Sequence, residues 1–201
     1  MNKKHIIGIS GYARSGKDTL ADSLIAEFCH RNVCATKLKF AGILKKAISR
    51  ALDTVELPFS VDTENTEDKT AVRPLMVEFG KFCRSRDMDI FAKRTIDNVE
   101  YMLRIGSQVV IIPDLRYENE GALLHECAKR NGIGYHHIDI DRRGTFAANQ
   151  EELDSIESLL DASYRESWFY GISFSDRDIA GIHMWAAAMA DNLVNNREHT
   201  K

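Results

Sequence analysis

No stretch of the 201-residue chain approaches the roughly twenty consecutive apolar residues a membrane-spanning helix needs. The apolar run near the start, Ile6-Ile7-Gly8-Ile9, is too short for a secretory signal. A cytoplasmic protein is therefore expected, with no membrane partner. The four cysteines, Cys29, Cys34, Cys83 and Cys127, form no Cys-x-x-Cys pair, which argues against a zinc site and for reduced, largely buried thiols. The excess of one sign of charge is also small, with 30 acidic residues against 27 basic. A net charge of -3 gives no general reason to hold a nucleic acid polymer and leaves a small acidic ligand as the better expectation. There is no internal repeat and no low-complexity tract.

What remains is ordinary globular composition, 44% hydrophobic and 28% charged, in a length that suits one domain, residues 1–201, with mobile insertions. The patterning alternates. His5 to Ser10 reads as a strand, Lys17 to His30 as a helix, Ala35 to Phe40 as a second strand, and the chain through Ile43, Leu44, Ile48 and Leu52 as a second helix. Asp53 to Thr70 is acidic, contains Pro58 and lacks periodicity, so it reads as an exposed loop or short helical insertion. Helical patterns follow at Val72 to Cys83 and Asp89 to Arg104. The β-branched run Val109-Val110-Ile111-Ile112 then reads as a central strand buried on both faces. A helix from Glu118 to Asn131, a strand from Gly134 to Asp139, a weakly ordered segment from Asp141 to Arg165, a strand from Phe169 to Phe174 and a helix from Ile182 to Val194 complete the chain. Such alternation predicts an α/β fold, with a central parallel sheet of about five strands, helices on both faces and ligands at the carboxyl ends of the strands. An acceptor-binding insertion is expected at about 53–104 and a lid at about 141–165.

Between the first strand and the first helix lies Gly11-Tyr12-Ala13-Arg14-Ser15-Gly16-Lys17-Asp18-Thr19, which fits G-x-x-x-x-G-K in its required context. Gly11 and Gly16 let backbone N–H groups turn inward, with Ala13, Arg14 and Ser15 between them. Lys17 brings a cation to the outer phosphates, and the helix N-terminus adds partial positive charge. ATP with Mg²⁺ is the expected ligand of this P-loop nucleoside-triphosphate-binding fold. Asp18 stands where Ser or Thr usually ligates the metal; it can hold Mg²⁺ directly or through water, with Thr19 on an inner phosphate, or serve only as a first-turn acid. After the central strand, Asp114 is placed to organise Mg²⁺ and Arg116 to fork onto a phosphate; the alternative is a helix cap and a surface ion pair.

The chain resembles the phage-type deoxynucleoside monophosphate kinases, within the adenylate-kinase-like P-loop kinases. The resemblance rests on Gly16-Lys17-Asp18-Thr19, on Phe40-Ala41-Gly42-Ile43-Leu44-Lys45, on Arg73-Pro74-Leu75-Met76 with Gly80 and Arg84, and on Asp114-Leu115-Arg116-Tyr117-Glu118-Asn119-Glu120. It spans about Ile6 to Asp139. Phosphomevalonate kinase of the animal type is similar in its loop and D-x-R element. The resemblance implies phosphoryl transfer from ATP to a dNMP or NMP. Ser15, Lys17, Asp18 and Thr19 would serve the donor, and Asp114, Arg116 and Glu120 a functional cluster. Arg73 and Arg84 would face the acceptor phosphate, with Phe40 and Ala41 near the acceptor. The family pattern has a histidine-serine-acid element near 154–158, where this chain reads Asp154-Ser155-Ile156-Glu157-Ser158.

Arg142 and Arg143 open the weakly ordered segment and are expected to close over the phosphates as part of the lid; the alternative is a solvated surface pair. His136 and His137 fall in a strand on opposite faces, so they read as structural. Trp168, Phe169 and Tyr170 read as packing, and Met184, Trp185 and Met189 as core or, in a homodimer, as interface. Two other functions compete: another small-molecule kinase, such as one acting on phosphomevalonate, and a P-loop regulatory or assembly ATPase without an acceptor. No N-K-x-D element is present for guanine reading, and Asp114-Leu115 replaces the acidic pair of a DNA-dependent motor.

Overall fold

Five strands, β1 (His5–Ser10), β2 (Ala35–Lys37), β3 (Val109–Ile112), β4 (Gly134–Arg142) and β5 (Phe169–Phe174), pair in parallel in the order β2-β3-β1-β4-β5. The structure is a computed structural model that describes residues 3–57, 61, 66–163 and 168–195. β1 is central because it is buried along its whole length and is bonded on both sides, with Ile6 opposite Val110 and Ile7 opposite His136. Period-two alternation sends its side chains to two different cores. Ile7 and Ile9 join Ile138 and Ile140 beneath α1 (Lys17–His30) and α7 (Ile179–Asn195), where Leu24, Phe28, Ala186 and Met189 pack. Ile6 joins Val110 and Ile112 on the opposite face, beneath α4 (Ile90–Arg104) and α5 (Glu118–Asn131), with Val99, Leu103, Leu124 and Cys127. The fold is the expected α/β P-loop architecture.

A third, smaller core holds the region between β2 and β3 together. Leu44, Ile48 and Leu52 of α2 (Phe40–Thr54) meet Val72 of α3 (Thr66–Arg86) and Phe91 of α4. At Gly80 an added Cβ would stand 3.5 Å from Leu44, an ordinary contact that shows how near α3 runs to α2. This unit lies where an acceptor-binding insertion was expected, although Pro58 and the residues at 58–60 and 62–65 lie outside the described part of the chain.

The structure departs from the sequence reading at several places. The second strand ends at Lys37 and Phe40 already opens α2, because the Asp114 carboxylate accepts the N–H groups of Phe40 and Ala41 at 3.0 and 2.9 Å and starts the helix there. The helix expected at Val72 to Cys83 runs from Thr66 to Arg86. The segment expected to be weakly ordered contains α6 (Gln150–Ser163), whose buried stripe is narrow: Ile156, Leu159 and Ser163. Its first turn is fixed by a reciprocal cap, in which Asn149 Oδ1 accepts from the Glu152 N–H at 2.9 Å and the Glu152 carboxylate accepts from the Ala148 N–H at 2.6 Å. Tyr164 and Arg165, the end of the expected lid, lie outside the described residues. Finally, only Cys127 of the four thiols is buried. Cys29 and Cys34 are exposed because they flank the turn between α1 and β2, and Cys83 is half-buried on α3.

Candidate active site

The loop between β1 and α1 is built for close approach. Gly11 has φ 134°, and a Cβ there would fall 2.2 Å from the Ile140 carbonyl oxygen and 2.8 Å from Ser15 Oγ. Gly16 (φ 103°) and Arg14 (φ 66°) also lie in the left-handed region, the backbone geometry that gathers N–H groups into an anion-binding nest. Among the described residues no side chain caps the N-terminus of α1, so its first N–H groups and partial positive charge face the loop. Lys17 folds over it, donating from Nζ to the carbonyls of Gly11 and Tyr12, both at 2.6 Å. Burial holds its ammonium below its ordinary pKa against the opposing field of Glu152, Asp18, Asp139 and Asp114. Ser15 Oγ is buried with no hydrogen-bond partner among the described residues, an orphan that a ligand oxygen would satisfy. The loop thus fits a polyphosphate on geometry alone.

Two carboxylates were candidates for the metal. Asp18 points away from burial and pairs with Lys39 Nζ at 2.6 Å and with Lys37 Nζ at 3.9 Å. Asp114 gives one oxygen to each of two α2 N–H groups, so it caps α2 rather than the helix that follows it in sequence. Burial raises its pKa, while those N–H bonds and Lys39 pull the other way. Among the described residues no group of three or more His, Cys, Asp or Glu gathers to hold a cation by itself. A divalent ion here would take most of its ligands from the polyphosphate and water, as Mg²⁺ commonly does.

Beside the loop lies a cleft of about 410 Å³, and the acceptor residues expected from sequence all line it: Phe40, Ala41, Arg73, Arg84 and Arg116, with Asp114 and Glu120. Three aromatic rings, Phe40, Phe91 and Tyr117, stand in its wall. The Arg84 guanidinium sits 5.0 Å from the ring centres of both Phe91 and Tyr117, and Arg116 lies 5.4 Å from the Tyr117 ring. Glu120, 4% exposed, accepts the N–H groups of Arg116 and Tyr117 through Oε2 at 3.0 and 3.1 Å, closing the turn that carries Arg116. Burial pushes its carboxyl up to about 7, against those two N–H bonds. Asn119 works structurally: its Nδ2 donates to Asp89 Oδ1 at 2.8 Å and ties this turn to the start of α4.

Sequence reasoning missed Lys81, Met76, Tyr117 and the α6 residues Glu151 and Ser155. Lys81 had a signal, since Arg73, Val77, Lys81 and Arg84 recur at i, i+4, i+8 and i+11 on one face of α3 and all line the cleft. The α6 residues meet the cleft through contacts more than thirty residues apart in sequence: Tyr117 donates its hydroxyl to Glu151 Oε1 at 2.9 Å, and Arg116 Nε donates to Ser155 Oγ at 3.1 Å. Arg142 and Arg143 are not among the residues that line the cleft. Arg142 is the last residue of β4 and pairs with Asp176 at 2.9 Å, while the exposed Arg143 donates its backbone N–H to Phe174. His137 is fully buried and shares Ser10 Oγ with Asp139, at 2.8 and 2.6 Å; burial lowers its pKa to about 4. His136 bonds His5 at 3.0 Å beneath Tyr170 and is likewise held low. Trp168 lies tilted against Tyr135 and His125, Phe169 meets His137 edge-on, and Met189 is core while Met184 is exposed.

A phosphate loop at the carboxyl edge of a parallel sheet, beside a cationic cleft roofed by helices, defines a P-loop kinase. Sequence comparison agrees: the family described as phosphomevalonate kinase matches residues 9–130, well over half of the chain, and the protein belongs to that family. The match does not name the phage-type deoxynucleoside monophosphate kinases. No curated protein sequence matches. Among solved structures, an APS kinase CysC Cys-to-Ala mutant from Mycobacterium tuberculosis superposes with a TM-score of 0.51 at 11% identity over 95% of this chain and 99% of that one. A gluconokinase from Sinorhizobium meliloti 1021 does so at 0.50 and 13%, over 98% and 97%. At such identities the likeness is one of fold. No helix among the described residues is long and apolar enough to cross a membrane.

Proposed function

We propose that the protein transfers the terminal phosphoryl group of ATP to the phosphate of a small monophosphorylated acceptor, and that the acceptor is a (deoxy)nucleoside monophosphate. The observation that carries this reading is the cleft beside the loop, where Arg73, Arg84 and Arg116 converge with Phe40, Phe91 and Tyr117 in a space of about 410 Å³. Guanidinium groups suit a phosphate dianion, and ring-lined walls suit a flat base. Phosphomevalonate is the second reading, favoured by the family match over residues 9–130.

MgATP, when bound, supplies the phosphoryl group and the divalent charge on its outer oxygens. The chain supplies position and electrostatics, which is most of what this chemistry asks of a protein. The loop N–H groups and Lys17 hold the donor, with Lys17 exchanging the carbonyls of Gly11 and Tyr12 for phosphate oxygens. Asp18 and Asp114 are proposed to orient the metal, through water where their present partners remain. The three arginines hold the acceptor phosphate, whose own oxygen attacks, so no side chain need act as nucleophile. Arg142 and Arg143 are proposed to join a lid with α6 that keeps water out.

A panel of dNMPs, NMPs and phosphomevalonate, each with ATP and Mg²⁺, tests the reading by following ADP and the phosphorylated product. Turnover with one or more nucleotides supports it; turnover with phosphomevalonate alone selects the second reading. Slow ADP release indifferent to every acceptor would point to a regulatory ATPase instead.

A further inference from the structure

The first half of α6 meets the acceptor cleft through Glu151, which lines it and accepts from the Tyr117 hydroxyl, and through Ser155, which meets the Arg116 side chain. Arg116 Nε donates to Ser155 Oγ at 3.1 Å, and Ser155 Oγ donates in turn to the Glu152 carbonyl at 3.1 Å. A serine hydroxyl has one proton, so with that proton committed inside α6 its lone pairs face Arg116 and it can only accept. With Nε occupied, the guanidinium presents its other edge, Nη1 and Nη2, which is the edge that forks onto a phosphate. Nη2 is buried and makes no hydrogen bond among the described residues; the Glu151 carboxylate pairs with it only at 3.9 Å, too far to hydrogen-bond, so its N–H groups remain for a ligand oxygen.

The plane of the guanidinium is fixed as well as its edge. Tyr117 lies 5.4 Å from it, and the Tyr117 hydroxyl is anchored at 2.9 Å to Glu151 Oε1 on the same stretch of α6, an oxygen that also stands 3.9 Å from Nη2. The reciprocal cap between Asn149 and Glu152 keeps this turn helical, so Ser155 and Glu151 approach Arg116 from a rigid element.

Resting on the reading of Arg116 as a holder of the acceptor phosphate, we infer that Ser155 is a positioning residue, which aims the Nη1/Nη2 fork of Arg116 into the cleft and makes the docking of α6 part of assembling the acceptor seat. The positioning acts through geometry, because Ser155 itself adds no charge. α6 thereby couples closure of the cleft to competence of the arginine.

The test is a phosphorus NMR titration of inorganic phosphate into protein whose donor site is saturated with a non-hydrolysable ATP analogue and Mg²⁺. Ser155→Ala is expected to weaken phosphate binding about tenfold, the loss of one charge-assisted hydrogen bond. Ser155→Thr, which keeps the hydroxyl, should restore it. Arg116→Ala should weaken binding at least as much, and adding Ser155→Ala to Arg116→Ala should then change nothing further. Equal effects of Ser155→Ala with and without Arg116 would mean that the serine acts elsewhere and overturn the inference while leaving the arginine's role intact. Phosphate affinity indifferent to Arg116→Ala would instead overturn the reading of the cleft on which the inference rests.

Discussion

Replacing Glu120 by Gln should stabilise the protein at alkaline pH and slightly destabilise it at acidic pH. The side chain is 4% exposed, and burial, the dominant influence, lifts its carboxyl from 4.5 to about 7. A carboxyl raised on folding holds its proton in the native state where the unfolded chain has released it, so stability falls as pH rises through that interval. The interval from 4.5 to about 7 corresponds to about 3 kcal/mol, fully felt above pH 7. Glutamine keeps a carbonyl oxygen to accept the N–H groups of Arg116 and Tyr117 and carries no charge to desolvate. The constant part of the substitution, chiefly weaker acceptance of those two bonds, costs about 1 kcal/mol at every pH. Urea denaturation at a series of pH values measures the difference. The expected result is a variant about 1 kcal/mol less stable near pH 4.5 and about 2 kcal/mol more stable near pH 8, with the crossover between. A difference constant across that range would refute the claim that Glu120 is strained by burial in its ionised form.

Gly11→Ala should prevent the loop from closing, because the new Cβ would meet the Ile140 carbonyl oxygen at 2.2 Å at a φ of 134°; a fall in thermal midpoint together with lost nucleotide binding checks it. Arg84→Ala should raise the acceptor KM about tenfold to hundredfold while sparing the KM for ATP, since a charged hydrogen bond of about 1.5–3 kcal/mol is removed on the acceptor side alone. Leu24→Ala, a fully buried position between β1 and α7, should cost about 2–5 kcal/mol in denaturant without altering substrate affinities.

The elements with strong periodicity could be read before any coordinates. The first strand, the phosphate loop and its helix are as expected, and α5 spans Glu118–Asn131 as its pattern indicates. β4 runs three residues past the expected end because β5 continues to pair with it as far as Arg142 opposite Phe174. α6 was hidden by the narrowness of its apolar stripe, although Asn149 and Glu152 spell out its cap. The arginines of the cleft were legible because they sit in motifs. Their supports were not: Asp114 reaches across 74 residues to start α2, and Ser155 reaches across 39 to Arg116. Such contacts are properties of the packed fold, and no local pattern encodes them.

Phosphoryl transfer by this protein requires the glycine loop and Lys17 to hold the outer phosphates of a nucleotide. Calorimetric titration of MgATP into the wild-type protein and into Lys17→Ala measures this directly. Saturable binding to the wild type, weakened at least about tenfold by the substitution, is the predicted result. Identical titrations for the two folded proteins, or no heat from either, would contradict it.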